Sequence, residues 1–174
     1  MHEAMREPDR HEFKQAMQKE INDQLGNKNF SIIHKSEVPD DEIIVPAVWQ
    51  MKRKRDIKTR KVKKWKARLN VDGSRMIKGK HFDQTYAPVA SWNSIRLLLT
   101  MVAVNGWYTK QIDYVLAFPQ APIAGKVYMR IPGGIEIPGY DSKEYVLKLH
   151  KNVYGQPDAG RVWNKYLIKK LVNE

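Results

Sequence analysis

The chain has no cysteine among its 174 residues. That excludes a disulfide framework, thiolate zinc sites and a cysteine nucleophile, and it fits a reducing, intracellular compartment. No apolar run approaches the ~20 residues of a membrane-spanning helix, so no membrane partner is expected. Residues Met1 to Arg10 are polar and mixed in charge, unlike a secretory signal. No Gly-x-Gly-x-x-Gly or Gly-x-x-x-x-Gly-Lys-Ser/Thr run occurs, which disfavours dinucleotide and P-loop chemistry. No Gly-x-Ser-x-Gly elbow occurs either. The histidines, His2, His11, His34, His81 and His150, lack metal-ligand spacing and read as surface or loop residues. Internal repeats and low-complexity tracts are also missing.

What the chain has in excess is positive charge. The formal net charge is +12, and residues 52–68 hold eleven lysines and arginines against one acid, Asp56. A concentrated basic stripe is a phosphate-tracking surface, because each neutralised phosphate releases counterions. Hydrophobic residues make up 42% of the chain, enough for a core in one domain, or one and a part.

The order of elements reads as α+β. Asp9 to Glu12 has capping-box form, and Phe13, Met17, Ile21 and Leu25 recur every fourth residue up to Gly26, predicting a helix. Residues 30–34 predict a short strand. Residues 47–55 and 61–71 predict two strands joined by 56–60. In the second, Trp65, Ala67, Leu69 and Val71 alternate with Lys64, Lys66 and Arg68, so an apolar face opposes a cationic row. Ser94 to Gly106 predicts a helix with Ile95, Leu98, Leu99, Val102 and Ala103 turned inward. Residues 107–114 predict a strand. Residues 127–131 and 145–149 predict two more, and a last helix begins near Asp158. It meets Glu174 without a stop signal, as in a chain cut from something longer. The five tryptophans read as packing residues.

Asp113 closes the predicted strand at 107–114. A carboxylate at a strand end is what a metal-dependent phosphoryl-transfer site needs, and Ala117-Phe118 just beyond it could shape a nucleotide sugar pocket.

Assembled in order, these segments resemble the reverse transcriptase of copia-type retrotransposons over nearly the whole chain. The resemblance is carried by the opening helix from Glu12 to Asn29 and by Ile44-Val45-Pro46 with Trp49-Gln50-Met51-Lys52-Arg53-Lys54. Lys64-Trp65-Lys66-Ala67-Arg68-Leu69 and Thr85-Tyr86-Ala87-Pro88-Val89-Ala90 with Ser94-Ile95-Arg96 follow. Gln111-Ile112-Asp113 with Ala117-Phe118, Val127-Tyr128-Met129 with Ile131-Pro132-Gly133-Gly134, and Val153-Tyr154-Gly155 complete it.

The resemblance implies a right-hand polymerase with antiparallel sheets and packed helices. Residues 1–105 would form the N-terminal helix and fingers with their basic ribbon, and 106–174 the first part of the palm. It implies RNA-directed DNA synthesis using two Mg²⁺ ions held by three carboxylates. Asp113 matches the first carboxylate and metal ligand. Tyr114 would set its backbone near the metal and triphosphate. Phe118 matches the aromatic that blocks a ribose 2′-hydroxyl, and Lys66 and Arg68 match the cations that hold the incoming triphosphate. Lys52, Arg53, Lys54 and Lys64 would contact nucleic acid. The implied partners are an RNA template, a DNA primer or RNA/DNA hybrid, deoxynucleoside triphosphates and the remainder of a Pol polyprotein, in the cytoplasm for the parent element.

Two departures qualify this. The family's other two carboxylates lie in a Tyr-Val-Asp-Asp hairpin that the chain lacks; Asp40-Asp41 precedes the first motif and reads as a loop. Residues 155–161, Gly-Gln-Pro-Asp-Ala-Gly-Arg, replace the family's Gly-Leu-Lys-Gln-Ala-Pro-Arg, which introduces Pro157 and Asp158. With two of three carboxylates missing, the chain alone is expected to be inactive. The alternative is a non-catalytic basic module that binds nucleic acid through the same ribbon.

Overall fold

The computed structural model describes residues 3–173. Helix α1 spans Arg10–Gly26 and buries Phe13, Met17 and Ile21, the stripe expected from their spacing. The stripe lies against a two-stranded antiparallel ribbon, β3 (Ala47–Arg55) with β4 (Val62–Val71). A second sheet has four strands in the order β1-β6-β5-β2, from Phe30–His34, Tyr145–Leu149, Tyr128–Arg130 and Ile44–Val45. It is mixed rather than purely antiparallel, because β2 runs parallel to β5. It draws two strands from residues 1–105 and two from 106–174, so both segments share one sheet. Met17, Ile21, Trp49, Leu69, Met129 and Leu147 join α1 and both sheets in one core.

The expected capping box at the start of α1 does not form. Asp9 occupies the N-cap position, but its side chain makes no cap bond. Its carboxylate instead accepts hydrogen bonds from Arg53 Nε and Nη2, both at 2.7 Å, and from Trp65 Nε1. A bidentate, charge-assisted pair plus an indole outcompetes a single neutral amide. The Arg53 guanidinium also lies over the Phe13 ring, 5.1 Å from its centroid.

Helix α2 (Trp92–Asn105) starts three residues earlier than expected. Ser91 is its cap, accepting from the Ser94 amide at 3.1 Å, and Gly106 ends it in the left-handed region. The inward face expected for α2 is not buried: Leu98 and Leu99 are 55% and 54% exposed, and no residue of the helix is buried. The strand expected at 107–114 is also absent; this stretch has irregular backbone. A strand exists only as part of a ladder, and among the described residues none pairs with it. Helix α4 (Ala159–Asn173) closes the fold beside the short α3 (Ala117–Gln120).

The histidines divide. His11, His34 and His150 are exposed, and His2 lies outside the described residues. His81, expected at the surface or in a loop, lies in a loop but is buried. Its Nδ1 accepts the Ile77 amide at 2.8 Å, and its Nε2 stands 3.7 Å from Glu42 Oε2. The ring fixes its own loop, a structural use that spacing along the chain does not reveal.

Hydrogen bonds from Arg53 and Trp65 hold the Asp9 carboxyl well below its ordinary range. A depressed carboxylate contributes stability above its unfolded pKa, about 3.9, and loses it as pH falls below that value. Asp9→Asn should therefore lower the melting temperature at neutral pH. It should also flatten the decline in melting temperature below about pH 4 relative to the unmodified chain. Parallel pH-melting curves for the two proteins by circular dichroism check this sign.

Candidate functional site

Directly opposed residues of an antiparallel pair share a face. The register pairs Gln50 with Arg68, Lys52 with Lys66 and Lys54 with Lys64, so all six project from one side of the ribbon. Trp49, Met51, Arg53, Trp65, Ala67 and Leu69 take the other side, under α1. Gln50, Lys52, Lys54, Lys66 and Arg68 line a shallow cavity of about 180 Å³. Arg53 does not belong to this row. One residue of offset sends it to the apolar face, where Asp9 neutralises it.

Among the described residues, none of Lys52, Lys54, Lys64, Lys66 or Arg68 forms an ion pair. Like charges directly opposite each other across a sheet are destabilising, yet Lys52 faces Lys66 and Lys54 faces Lys64. Burial, with Arg68 and Lys54 nearby, pushes the Lys66 ammonium below its ordinary value.

The ribbon is tied to the second half of the chain at its β4 end. The Val71 amide donates to the Tyr154 carbonyl at 2.9 Å, and Asn70 bridges Tyr154 in parallel. The approach is so close that a Cβ on Gly155 would lie 2.1 Å from the Val71 carbonyl oxygen, and one on Gly73 would lie 2.1 Å from that of Gly155. Gly155 also takes φ +91, a conformation open to glycine. This clasp sets the Tyr154 ring beneath Arg68, whose guanidinium lies 4.9 Å from the ring centroid. The Phe118 ring packs on Tyr154 at 5.2 Å and 51°.

Phe118 sits on α3, which Leu116 enters in the left-handed region at φ 52. For a leucine that costs roughly 1–2 kcal/mol. Behind α3, the Asn152 amide and Nδ2 hold the Ala121 carbonyl at 3.0 and 3.1 Å. Tyr114 is fixed edge-on against Trp163 of α4, 5.3 Å between centroids. Asp113 stands beside it on the irregular segment, exposed. Arg68 and Phe118 are therefore joined through Tyr154, and Lys66 lines the cavity with Arg68, whereas Asp113 remains on an exposed stretch.

The donor set does not suit a metal pair. Among the described residues, no three His, Asp or Glu side chains are placed to hold an ion. Asp113 supplies one carboxylate, and a two-metal clamp requires several shared oxygen ligands. Asp158, at the start of α4, offers no remedy. It is half-buried, its Oδ1 has no hydrogen-bond partner among the described residues, and burial, with a contribution from Asp83, pushes its carboxyl up. Among the described residues it joins no cluster of metal-ligating side chains.

Tyr154 was visible in the sequence only as part of a motif. The signal that could have marked it was Gly155 beside it, since glycine next to an aromatic permits close backbone approach. The chain matches the family model described as reverse transcriptase (RNA-dependent DNA polymerase) over residues 27–174. It is 32% identical over 161 residues to the retrovirus-related Pol polyprotein from transposon TNT 1-94 of Nicotiana tabacum, covering 92% of this chain and 12% of that relative. It is 32% identical over 151 residues to the corresponding polyprotein from transposon RE2 of Arabidopsis thaliana, covering 87% of this chain and 10% of the relative. The chain thus spans about a tenth of the length of the curated relatives it matches. No solved structure matches it.

Gly155→Ala should break the clasp, since it combines a disfavoured φ with a backbone collision. We expect a loss of about 2–3 kcal/mol in chemical denaturation. Gly139→Ala, also at positive φ but with nothing within 4 Å of the added methyl, isolates the conformational part and should cost less.

Proposed function

The chain belongs to the reverse transcriptase (RNA-dependent DNA polymerase) family, and on that premise we propose that it is the phosphate-binding portion of a copia-type polymerase. Residues 1–105 supply the N-terminal helix and fingers ribbon, and 106–174 the first part of the palm. That boundary is one of chain order, because strands from both parts share a sheet. The parent activity is RNA-directed DNA synthesis within a Pol polyprotein. Its substrates are an RNA template, a DNA primer and deoxynucleoside triphosphates, and its cofactor is Mg²⁺.

The observation that carries this reading is the cationic row on a concave ribbon face, without ion pairs among the described residues. Lys52, Lys54 and Lys64 follow a nucleic-acid backbone, and Lys66 and Arg68 take phosphate closer to α3. Phe118 approaches the sugar of a bound nucleotide from α3, and Tyr114 braces the segment that carries Asp113 against α4. Asp113 is the first metal ligand, and its partner carboxylates come from outside these residues. The chain alone therefore carries binding without chemistry. No helix of the described residues is long and apolar enough to cross a membrane; work in the cytoplasm follows from the family alone.

Changing Lys64, Lys66 and Arg68 together to Ala should reduce the salt dependence of binding to an RNA–DNA hybrid. The slope of log affinity against log salt should fall by roughly one unit per lost phosphate contact. Fluorescence anisotropy across a salt series measures it, and an unchanged slope removes the ribbon from the interface. The purified chain should extend no primer at any Mg²⁺ concentration. Extension that Asp113→Asn abolishes would show that the described residues complete a metal site after all.

A further inference from the structure

Two arginines of the ribbon, one on each face, lie over aromatic rings, yet they differ in what remains free. Arg53 covers Phe13 at 5.1 Å, but Asp9 takes its Nε and Nη2 and cancels its charge. Arg68 covers Tyr154 at 4.9 Å, and among the described residues its side chain makes no hydrogen bond and no ion pair. A guanidinium stacked on a ring uses its flat face and keeps its N–H edge for a ligand. A carboxylate partner would have consumed both edge and charge. Tyr154 is itself held in place: Val71 holds its carbonyl, Gly155 is wedged against Val71, and Phe118 packs on its ring.

We propose that Tyr154 is a positioning residue: it holds the Arg68 guanidinium at the rim of the cationic cavity with its donor edge open to a phosphate group. This rests on reading the ribbon face as phosphate-binding. The gain is preorganisation, since an exposed arginine otherwise loses rotamer freedom on meeting a ligand. The ring supplies it, so the phenolic hydroxyl is dispensable. Phe118 presses on the same ring, so the ribbon cation and α3 share one support.

Isothermal titration of the full chain with inorganic tripolyphosphate tests this, alongside anisotropy with an RNA–DNA hybrid. Tyr154→Phe should bind as the unmodified chain does. Tyr154→Leu should weaken binding roughly three- to tenfold. Arg68→Lys keeps the charge, leaves the ribbon's apolar face untouched and should weaken binding to a similar extent. In the Tyr154→Leu background it should add little further loss. The Arg68 Nε–H resonance should lose its ring-current shift in Tyr154→Leu and keep it in Tyr154→Phe, which separates positioning from general loss of structure. A loss confined to tripolyphosphate identifies a free polyphosphate as the source of the phosphate, and a loss confined to the hybrid identifies the backbone. Unweakened binding of both probes by Tyr154→Leu, or by Arg68→Lys, overturns the proposal. So does failure of the unmodified chain to bind either probe. Binding of the hybrid with a salt slope that ignores the ribbon lysines instead refutes the underlying reading.

Discussion

The Asp9 carboxylate holds together the arrangement on which the cationic face depends. A two-stranded ribbon alone is marginal in water, and this one carries facing lysines that repel. It persists because its other face is covered by α1, and Asp9 fixes that cover by gripping Arg53 and Trp65 at the far end of the ribbon from the Gly155 clasp. The stripe Phe13, Met17 and Ile21 supplies the apolar area, and the ion pair fixes where along the ribbon it lands. An isolated surface ion pair contributes little, but this one is bidentate, shared with an indole and stacked on Phe13. Its role is register more than energy.

The glycine clasp does the same work at the opposite end. Gly73 and Gly155 let two backbones approach within a distance that any side chain forbids. What the approach achieves is a fixed relation between β4 and the loop that carries Tyr154. The electrostatic cost of the cationic row is thereby borne by a frame held at both ends. A floppy ribbon would splay its lysines apart and lose the concave face, and with it the focusing of positive charge.

Much of this was legible from alternation. Period two along β4 separated Lys64, Lys66 and Arg68 from Trp65, Ala67 and Leu69, and the register agrees. The same rule applied to β3 would have removed Arg53 from the row, since it stands one residue from both Lys52 and Lys54. Local chemistry misled where a distant partner competed: Asp9 has the form of a cap but is taken by residues 44 and 56 positions away. His81 likewise gave no sign of burial, because its hydrogen bonds run to its own loop and its surroundings come from elsewhere.

The segment around Asp113 failed to read true for a different reason. Alternation at 107–114 specifies which side chains would share a face if the segment were paired, and it says nothing about whether a partner is beside it. Among the described residues none is, and the adjoining helix α2 keeps its apolar side in water as well. Helical hydrogen bonds are internal, so α2 survives without cover; strand bonds are external, so residues 107–114 do not become a strand. The same physics explains why Phe118 and Asp113, five residues apart, differ so much in support. Phe118 is braced by Tyr154 and lies beside a buried anchor at Ala121, whereas Asp113 depends on a ladder that no described strand provides. The array of Arg68, Tyr154 and Phe118 is therefore fixed by contacts among the described residues, whereas the backbone at Asp113 has no ladder among them to fix it.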